Sequence, residues 1–513
     1  MIFLSMSDPG SWRLDGSFGP KAQGLIVSPF AHLPEAVCLL LNAAQAPGSG
    51  WLRDLLQGPD ALLITPATGK ALDSSGAAVG CAALAFTATG LQALGLSQAV
   101  LESFAEPFVE GMHEPHRRRR LGDFALEPPG RVRRPLWGGN MPLLAGTAPD
   151  IDTVVCDKTV HAAVLLYHET VEQLAAFAAP VRARLAACGV SVVHELALSL
   201  RFDGNDPPIA REHFGFADGI SQPVPSGPGI VTSDGAAYPP HPVHRVYPGD
   251  LLIGLLDSYG ESAPGAVVPT GAAGASVLDV SPEDRSQRCL GRLGSYLVIR
   301  ELSQDVSAFE ASMESAAQAL GKAKDWVAER VVGRTRDGVI LSPNPPPPDA
   351  DGPGNDFLYF DTDVDGRFCP YGSHVRRANP RDGLAPTAGD KTTLLRAANN
   401  HRILRRGRKY ASYSVPDAGE LPGLLFMCLN TDIRRQFEFV QQTWMLNPSF
   451  AALVDEQDPL LGPRGSFTIP ADPLRLRPTI DTFVRFIGGE YFFLPSLPAL
   501  AYFMSLPSGG HSP

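Results

Sequence analysis

Apolar residues in this chain fall into short runs separated by breaks rich in glycine and proline. Residues 23–27 predict a first strand, and the apolar spacing over 35–45 predicts a helix. Residues 81–86 form an unbroken apolar run, read as a strand. Residues 87–96 then predict a helix, and 101–112 an amphipathic one with Phe104, Phe108 and Met112 on one face. Residues 160–167 are β-rich. Thr170 to Gln173 open a helix that runs to about Ala187, Gly189 ends it, and 190–196 read as the next strand.

After a loop-rich stretch the rhythm resumes. Residues 294–302 predict a strand, 305–320 a helix, 421–430 a strand and 433–445 a helix. The second half therefore follows the layout of the first, although no sequence repeat is visible. This predicts an α+β protein of two ferredoxin-like modules, with antiparallel sheets and helices packed on one face. The expected divisions are 21–230 for the first module, 231–290 for a connector and 291–505 for the second module.

Composition narrows the class. The chain has 513 residues, of which 44% are hydrophobic and 19% charged, as in a globular protein with a real core. The formal net charge of −11 argues against nucleic acid as a main partner. Arg117 to Arg120 form a basic run, read as a solvated face, and Arg402, Arg405, Arg406, Arg408 and Lys409 form another. The seven cysteines are scattered with no Cys-x-x-Cys pair, which argues against a disulfide framework or a zinc site and fits a reducing, cytoplasmic compartment. No apolar run reaches the length of a membrane span, and no secretory leader is visible. Nothing here decides for or against a homo-oligomer.

Two stretches carry candidate chemistry. In Phe368-Cys369-Pro370-Tyr371-Gly372-Ser373-His374-Val375-Arg376-Arg377-Ala378-Asn379-Pro380-Arg381-Asp382, one histidine stands between two prolines among arginines. A histidine held rigidly in cationic surroundings suits a metal ligand whose cofactor is anionic; its ordinary role would be that of a loop histidine. In His213-Phe214-Gly215-Phe216-Ala217-Asp218-Gly219-Ile220-Ser221-Gln222-Pro223, glycines allow a tight turn and close approach of a flat ligand to Asp218. An Asp-Gly pair alone is most often only a turn.

Taken together, and in this order, the two stretches resemble the dye-decolorizing peroxidases. Gly215-Phe216-Ala217-Asp218-Gly219 is similar to the family's G-x-x-D-G signature, Cys369 to Arg381 to its haem-ligand segment, and His401 to Arg408 to its distal-arginine segment. Leu293 to Val298, Gln436 to Gln441 and Gly488 to Pro495 extend the likeness, which runs from about residue 23 to residue 500 and looks like the larger, bacterial-type branch. Ser373, Ala217 and Ile487 depart from the family's usual residues without removing a catalytic group.

The resemblance implies haem b held without covalent attachment, with His374 as proximal iron ligand and Asp432 as the carboxylate that anchors its other nitrogen. Asp432 is read equally well as a helix N-cap. It implies Asp218 as the acid–base group for hydrogen peroxide and Arg405, rather than its neighbour Arg406, as the stabiliser of developing negative charge. Arg376, Arg377 and Arg381 are candidates for the haem propionates, or form loop salt bridges. His213 is a candidate for a propionate or the distal side, or a core histidine. Phe426 is read as lining of the haem pocket or core. Trp444, Tyr410 and Tyr413 are candidates for relaying electrons to a surface. The implied activity is reduction of hydrogen peroxide with oxidation of bulky phenols or dyes, the oxidising equivalents being held on iron and porphyrin. A haem protein that stores, delivers or strips haem iron is the alternative, and a cofactor-free structural protein the second.

Overall fold

The structure, a computed structural model, describes residues 12–68, 79–123, 135–139, 156–200, 210–348, 354–415, 419–472 and 474–508. Its centre is an antiparallel barrel. The first half supplies β1 (Glu35–Asn42), β2 (Cys81–Phe86), β3 (Ala162–His168) and β4 (Ser191–Ser199). The second supplies β5 (Ser295–Gln304), β6 (Arg408–Val415), β7 (Gly419–Asn430) and β8 (Val484–Leu494). Each half has the same order, β4-β1-β3-β2 and β8-β5-β7-β6, which is that of a ferredoxin-like module. The two sheets meet at two thin seams, Phe493 opposite Phe86 and Lys409 opposite Ser199, and so close on themselves without long edges.

Alternation along the strands builds the barrel's two faces. Ala36, Cys38 and Leu40 of β1 point inward with Leu297 and Ile299 of β5 and Met427 and Leu429 of β7. Val37, Leu39 and Leu41 point outward, under α1 (Val171–Ala187). With both faces covered, β1 is an unbroken apolar run, and this is why the helix expected over 35–45 is instead a strand. The strand expected over 23–27 is a single helical turn, Gly24–Ile26, and the helix expected over 101–112 is broken into Gln98–Leu101 and Glu106–Glu110.

Other expected elements form for the reasons read from their ends. Thr170 accepts the backbone N–H of Gln173 at the start of α1. Asp305 does the same for Ala308 at the start of α2 (Val306–Leu320), which Gly321 ends in a left-handed conformation. α3 (Lys324–Val332) follows and ends at Gly333. Residues 433–445 do coil, but through i to i+5 bonds such as Glu438 N–H to Ile433 C=O and Leu446 N–H to Gln441 C=O. The first basic run is only half a solvated face: Arg117 and Arg118 are buried, and Arg117 pairs with Glu438 and Glu110. All seven cysteines are free thiols. Among the described residues no helix is long and apolar enough to cross a membrane.

Candidate active site

His374 opens α4 (His374–Ala378), a single turn that the surrounding chain holds rigidly. Ser373 Oγ donates to the Arg330 carbonyl at the end of α3 (2.5 Å). Arg376 lies between the rings of Tyr359 and Tyr371, 4.3 and 4.4 Å from their centroids, and donates to Cys369 C=O (2.8 Å) and to Asp363. Arg377 donates to the carbonyls of Trp444, Met445, Asn447 and Glu456. Both guanidinium groups are buried in this work of fastening the loop, which takes them out of the propionate role.

Nδ1 of His374 lies 3.1 and 3.2 Å from the two carboxylate oxygens of Asp458. Asp458 is buried, and the N–H groups of Leu460 and Leu461 bond its Oδ1 (3.0 and 2.9 Å). A carboxylate oxygen only accepts here, so His374 donates Nδ1–H to it. Nε2 then keeps its lone pair and has no protein partner among the described residues. The anchor is therefore Asp458, not Asp432. Asp432 caps the following turn, accepting the Arg435 N–H (3.0 Å), and pairs with the Arg435 side chain.

Asp218 and Arg405 come together although 187 residues separate them: Nη1 of Arg405 donates to Oδ1 of Asp218 at 3.1 Å, with both side chains about one-third exposed. The other Nη of Arg405 bonds Ile220 C=O (2.5 Å), and its backbone N–H bonds Gln222 Oε1 (3.0 Å). Oδ2 of Asp218 has no protein partner among the described residues. Arg406 is buried and spent on the carbonyls of Leu25 and Ile26, so of the two arginines only Arg405 faces the aspartate. Arg405 lies opposite Cys428 of β7, and Phe426 is two residues along on the same outer face. Phe426 is half-buried there, its ring 6.2 Å from that of Phe437. His213 donates Nε2–H to Tyr410 C=O (2.8 Å) and Gly423 C=O (3.1 Å); it ties the Asp218 loop to the sheet. Trp444 and Tyr410 are both buried, so neither is a surface relay, and the side chain of Tyr413 lies outside the described residues.

One short segment supports both His374 and Asp218. Gly333, at φ +100°, sits against Val375, Cys369 and Ser373, where any side chain would collide. Three residues on, the Arg336 carbonyl accepts the N–H of Ala217 (2.9 Å). Those two attachment points are at most about 10 Å apart.

A wall of buried cations flanks the pair. Arg334 and Arg381 share Oδ1 of Asn355 (2.8 and 2.9 Å), and Arg402 donates to Ser221 C=O (2.8 Å) and to Nδ1 of His244 (3.3 Å). Burial pushes Arg381 and Arg402 down to about 9, and neighbouring guanidinium groups add to the shift. Among the described residues no carboxylate pairs with these three arginines. Three buried guanidinium groups, with the Asp356 carboxylate acting on Arg381 from beyond ion-pair distance, leave an excess of positive charge that fits a dianionic ligand such as a haem carrying two propionates. Arg381 is the one propionate candidate of the sequence in this wall; Arg402 stands in the basic run and the His401–Arg408 segment without an assigned role, and Arg334 and His244 lie in loops that carry no motif.

His241, His244 and Asp356 lie close enough to hold a cation. Their hydrogen bonds say otherwise. Nδ1 of His241 accepts the N–H groups of Val243 and His244 (3.1 and 3.0 Å), and Nδ1 of His244 accepts from Arg402. Nε2 of both rings faces Asp356 (3.5 and 3.3 Å), and Nε2 of His244 also lies 3.2 Å from Asn355 C=O and 3.1 Å from the Asn355 amide nitrogen, so protein groups already occupy these ring nitrogens.

The chain is 30% identical to multifunctional dye peroxidase DyP2 of Amycolatopsis sp. over 374 residues, covering 67% of this chain and 71% of that protein. The chain belongs to the dye-decolorizing peroxidase family. Dye-decolorizing peroxidase msp1 of Mycetinis scorodonius is 27% identical over 483 residues, covering 88% of this chain and 81% of that one. No family model matches. The fold is shared with a solved DyP-type peroxidase from Anabaena (TM-score 0.66, 23% identity, 95% of both chains). It is also shared with a dye-decolorizing peroxidase solved with 2,6-dimethoxyphenol (TM-score 0.66, 24% identity, 95% of this chain and 99% of that one). Two fungal members, from Mycetinis scorodonius and Mycena epipterygia, match 88% and 82% of this chain against 67% for the Amycolatopsis protein, so the likeness is not confined to the bacterial-type branch. As a member of this family the protein is a haem peroxidase, and the haem-iron storage alternative is not favoured.

Proposed function

We propose that this peroxidase binds haem b without a covalent link, ligates its iron through Nε2 of His374, and handles hydrogen peroxide with Asp218 and Arg405. The observation that carries this reading is the Asp218–Arg405 pair, in which Arg405 engages one carboxylate oxygen and leaves the other free to move a proton. Haem supplies the redox chemistry when bound. Asp458 holds Nδ1–H of His374 and so directs Nε2 to the iron. Arg334, Arg381, Arg402 and His244 meet the propionates. Oδ2 of Asp218 takes the proton from the inner oxygen of peroxide and returns it to the outer one, and Arg405 stabilises the negative charge that develops as the O–O bond breaks. No cysteine stands in a Cys-x-x-Cys-His sequence, in keeping with non-covalent attachment. The reductants are aromatic small molecules of the phenol class. Free cysteines support a reducing, cytoplasmic location.

Haem-loaded protein given hydrogen peroxide and 2,6-dimethoxyphenol tests the reading. The expected result is steady oxidation of the phenol that is lost in His374→Ala and falls roughly 100-fold or more in Asp218→Asn. Undiminished oxidation in Asp218→Asn would overturn the assignment of the proton carrier.

A further inference from the structure

The molecule has a second concave site that the peroxide chemistry leaves unused. It is a cavity of about 520 Å³ whose lining includes Ser226, Gly229, Ile230, Tyr238, Pro240 and Arg245. That volume is in the range of small-molecule sites. Its lining is mostly apolar with one cation. Arg245 is half-buried, donates Nε–H to Ser226 Oγ (3.1 Å) and lies 4.5 Å over the ring of Tyr247. Those two contacts fix the plane of the guanidinium, and among the described residues no carboxylate pairs with it. A planar guanidinium held this way, in an apolar lining that includes Tyr238, suits a flat ring bearing a carboxylate.

The cavity is also joined to the proposed haem surroundings. Of its lining, Ser226 follows and Arg245 opens the parallel pair of Val224–Pro225 with Arg245–Val246, in which Val224 N–H bonds His244 C=O (2.8 Å) and Ser226 N–H bonds Val246 C=O (3.1 Å). Val224 lies two residues beyond Gln222, whose side chain holds the backbone of Arg405. Ser226 is four residues beyond it, a reach of at most about 14 Å. On the other strand His244, next to Arg245, touches Arg402 of the cationic wall.

We propose that this cavity is a binding site for aromatic carboxylates, in particular phenolic acids, with the carboxylate on Arg245 and the ring against Tyr238, and that such acids serve there as reductants. The role as a reductant site rests on the peroxidase reading; the binding does not. Each bound phenol would lose its O–H hydrogen as a proton to water and an electron, and haem, when bound, would supply the redox chemistry that passes that electron to hydrogen peroxide. Two phenols and one hydrogen peroxide thus yield two phenoxyl radicals and two waters.

Calorimetric titration of haem-loaded protein with 4-methoxybenzoate, which has no phenolic hydroxyl, tests the binding without peroxide. One equivalent should bind with the Soret band unchanged, and cyanide on the iron should not displace it. Its affinity should fall as sodium chloride is raised in wild type and not in Arg245→Gln. Arg245→Gln should weaken it roughly ten- to hundredfold, with Arg245→Lys between the two. Equal affinity for 4-methoxybenzoate and uncharged methoxybenzene, equal affinity in wild type and Arg245→Gln, or displacement by cyanide would each overturn the site. In turnover, the ratio of KM for 4-hydroxy-3-methoxybenzoate to KM for 2-methoxyphenol should rise about tenfold in Arg245→Gln; an unchanged ratio overturns the reductant role. A protein that binds 4-methoxybenzoate through Arg245 but is inert to peroxide would sink the peroxidase reading alone.

Discussion

Replacing Asp458 by asparagine isolates the anchoring of His374. The side chain keeps its shape, and Oδ1 can go on accepting the Leu460 and Leu461 N–H groups. The amide nitrogen is then left facing Nδ1 of His374, where the carboxylate stood at 3.1–3.2 Å. Two donors now meet unless the ring moves its proton to Nε2, the atom assigned to the iron. A hydrogen bond to a charged partner contributes about 1.5–3 kcal/mol and a neutral one about 0.5–1.5 kcal/mol, so exchanging one for the other costs about 1 kcal/mol before the tautomer is counted. Lost partners of metal-bound histidines typically cost roughly 10- to 100-fold in affinity, which is about 1.4–2.8 kcal/mol. Titrating haem into apoprotein and following the Soret band measures this directly. Asp458→Asn should weaken binding by roughly that factor, and Asp432→Asn, whose amide oxygen still caps the Arg435 N–H, should leave haem affinity within about twofold and stability nearly unchanged. Wild-type affinity in Asp458→Asn, or a loss confined to Asp432→Asn, refutes the anchoring argument.

The arginines divide by role. Arg377→Gln, which strips buried bonds from four carbonyls, should lower the apoprotein's unfolding free energy by about 3 kcal/mol in denaturant melts, whereas Arg402→Gln should weaken haem binding at least tenfold in the same titration; equal effects would undo the distinction. Gly333→Ala meets both a positive φ and the Val375 side chain, and should cost about 1–3 kcal/mol in the same melts together with weaker haem binding. Burial pushes His161 down to about 4, and its Nδ1 accepts the Ala43 N–H (3.0 Å). Because the unfolded ring takes its proton near pH 6.5, this contribution is whole above that pH and is lost as pH falls towards about 4, on the order of a few kcal/mol. Melts at pH 7 and pH 4.5 should show that loss in wild type and a smaller one in His161→Asn.

Local chemistry made some of this legible from residue order alone. The caps at Thr170 and Asp305 and the glycine stops act within a few residues, so the sequence states them. The strand β1 was hidden because burial on both faces erases the alternation that marks a strand. In the site, His374, Asp218 and Arg405 stand in motifs. Asp458 does not: its selection depends on a turn that brings a buried carboxylate 84 residues away to one ring nitrogen, while Asp432, nearer the motifs, had the residue type without the reach. For Arg376 and Arg377 the sequence leaves two roles open, and the structure takes the loop-fastening one. An arginine beside a ligand histidine can fasten its own loop or hold a cofactor, and only the count of carbonyls around Arg377 tells which.

The central claim is that His374 holds the iron on one side while Asp218, steered by Arg405, moves the peroxide proton. Rapid mixing of haem-loaded wild type and Asp218→Asn with hydrogen peroxide, followed at the Soret band, tests it most directly. Wild type should show a fast spectral change, first order in peroxide, that slows roughly 10²- to 10⁴-fold in Asp218→Asn with the resting spectrum intact. A wild-type Soret band indifferent to peroxide, or equal rates in the two proteins, would contradict it.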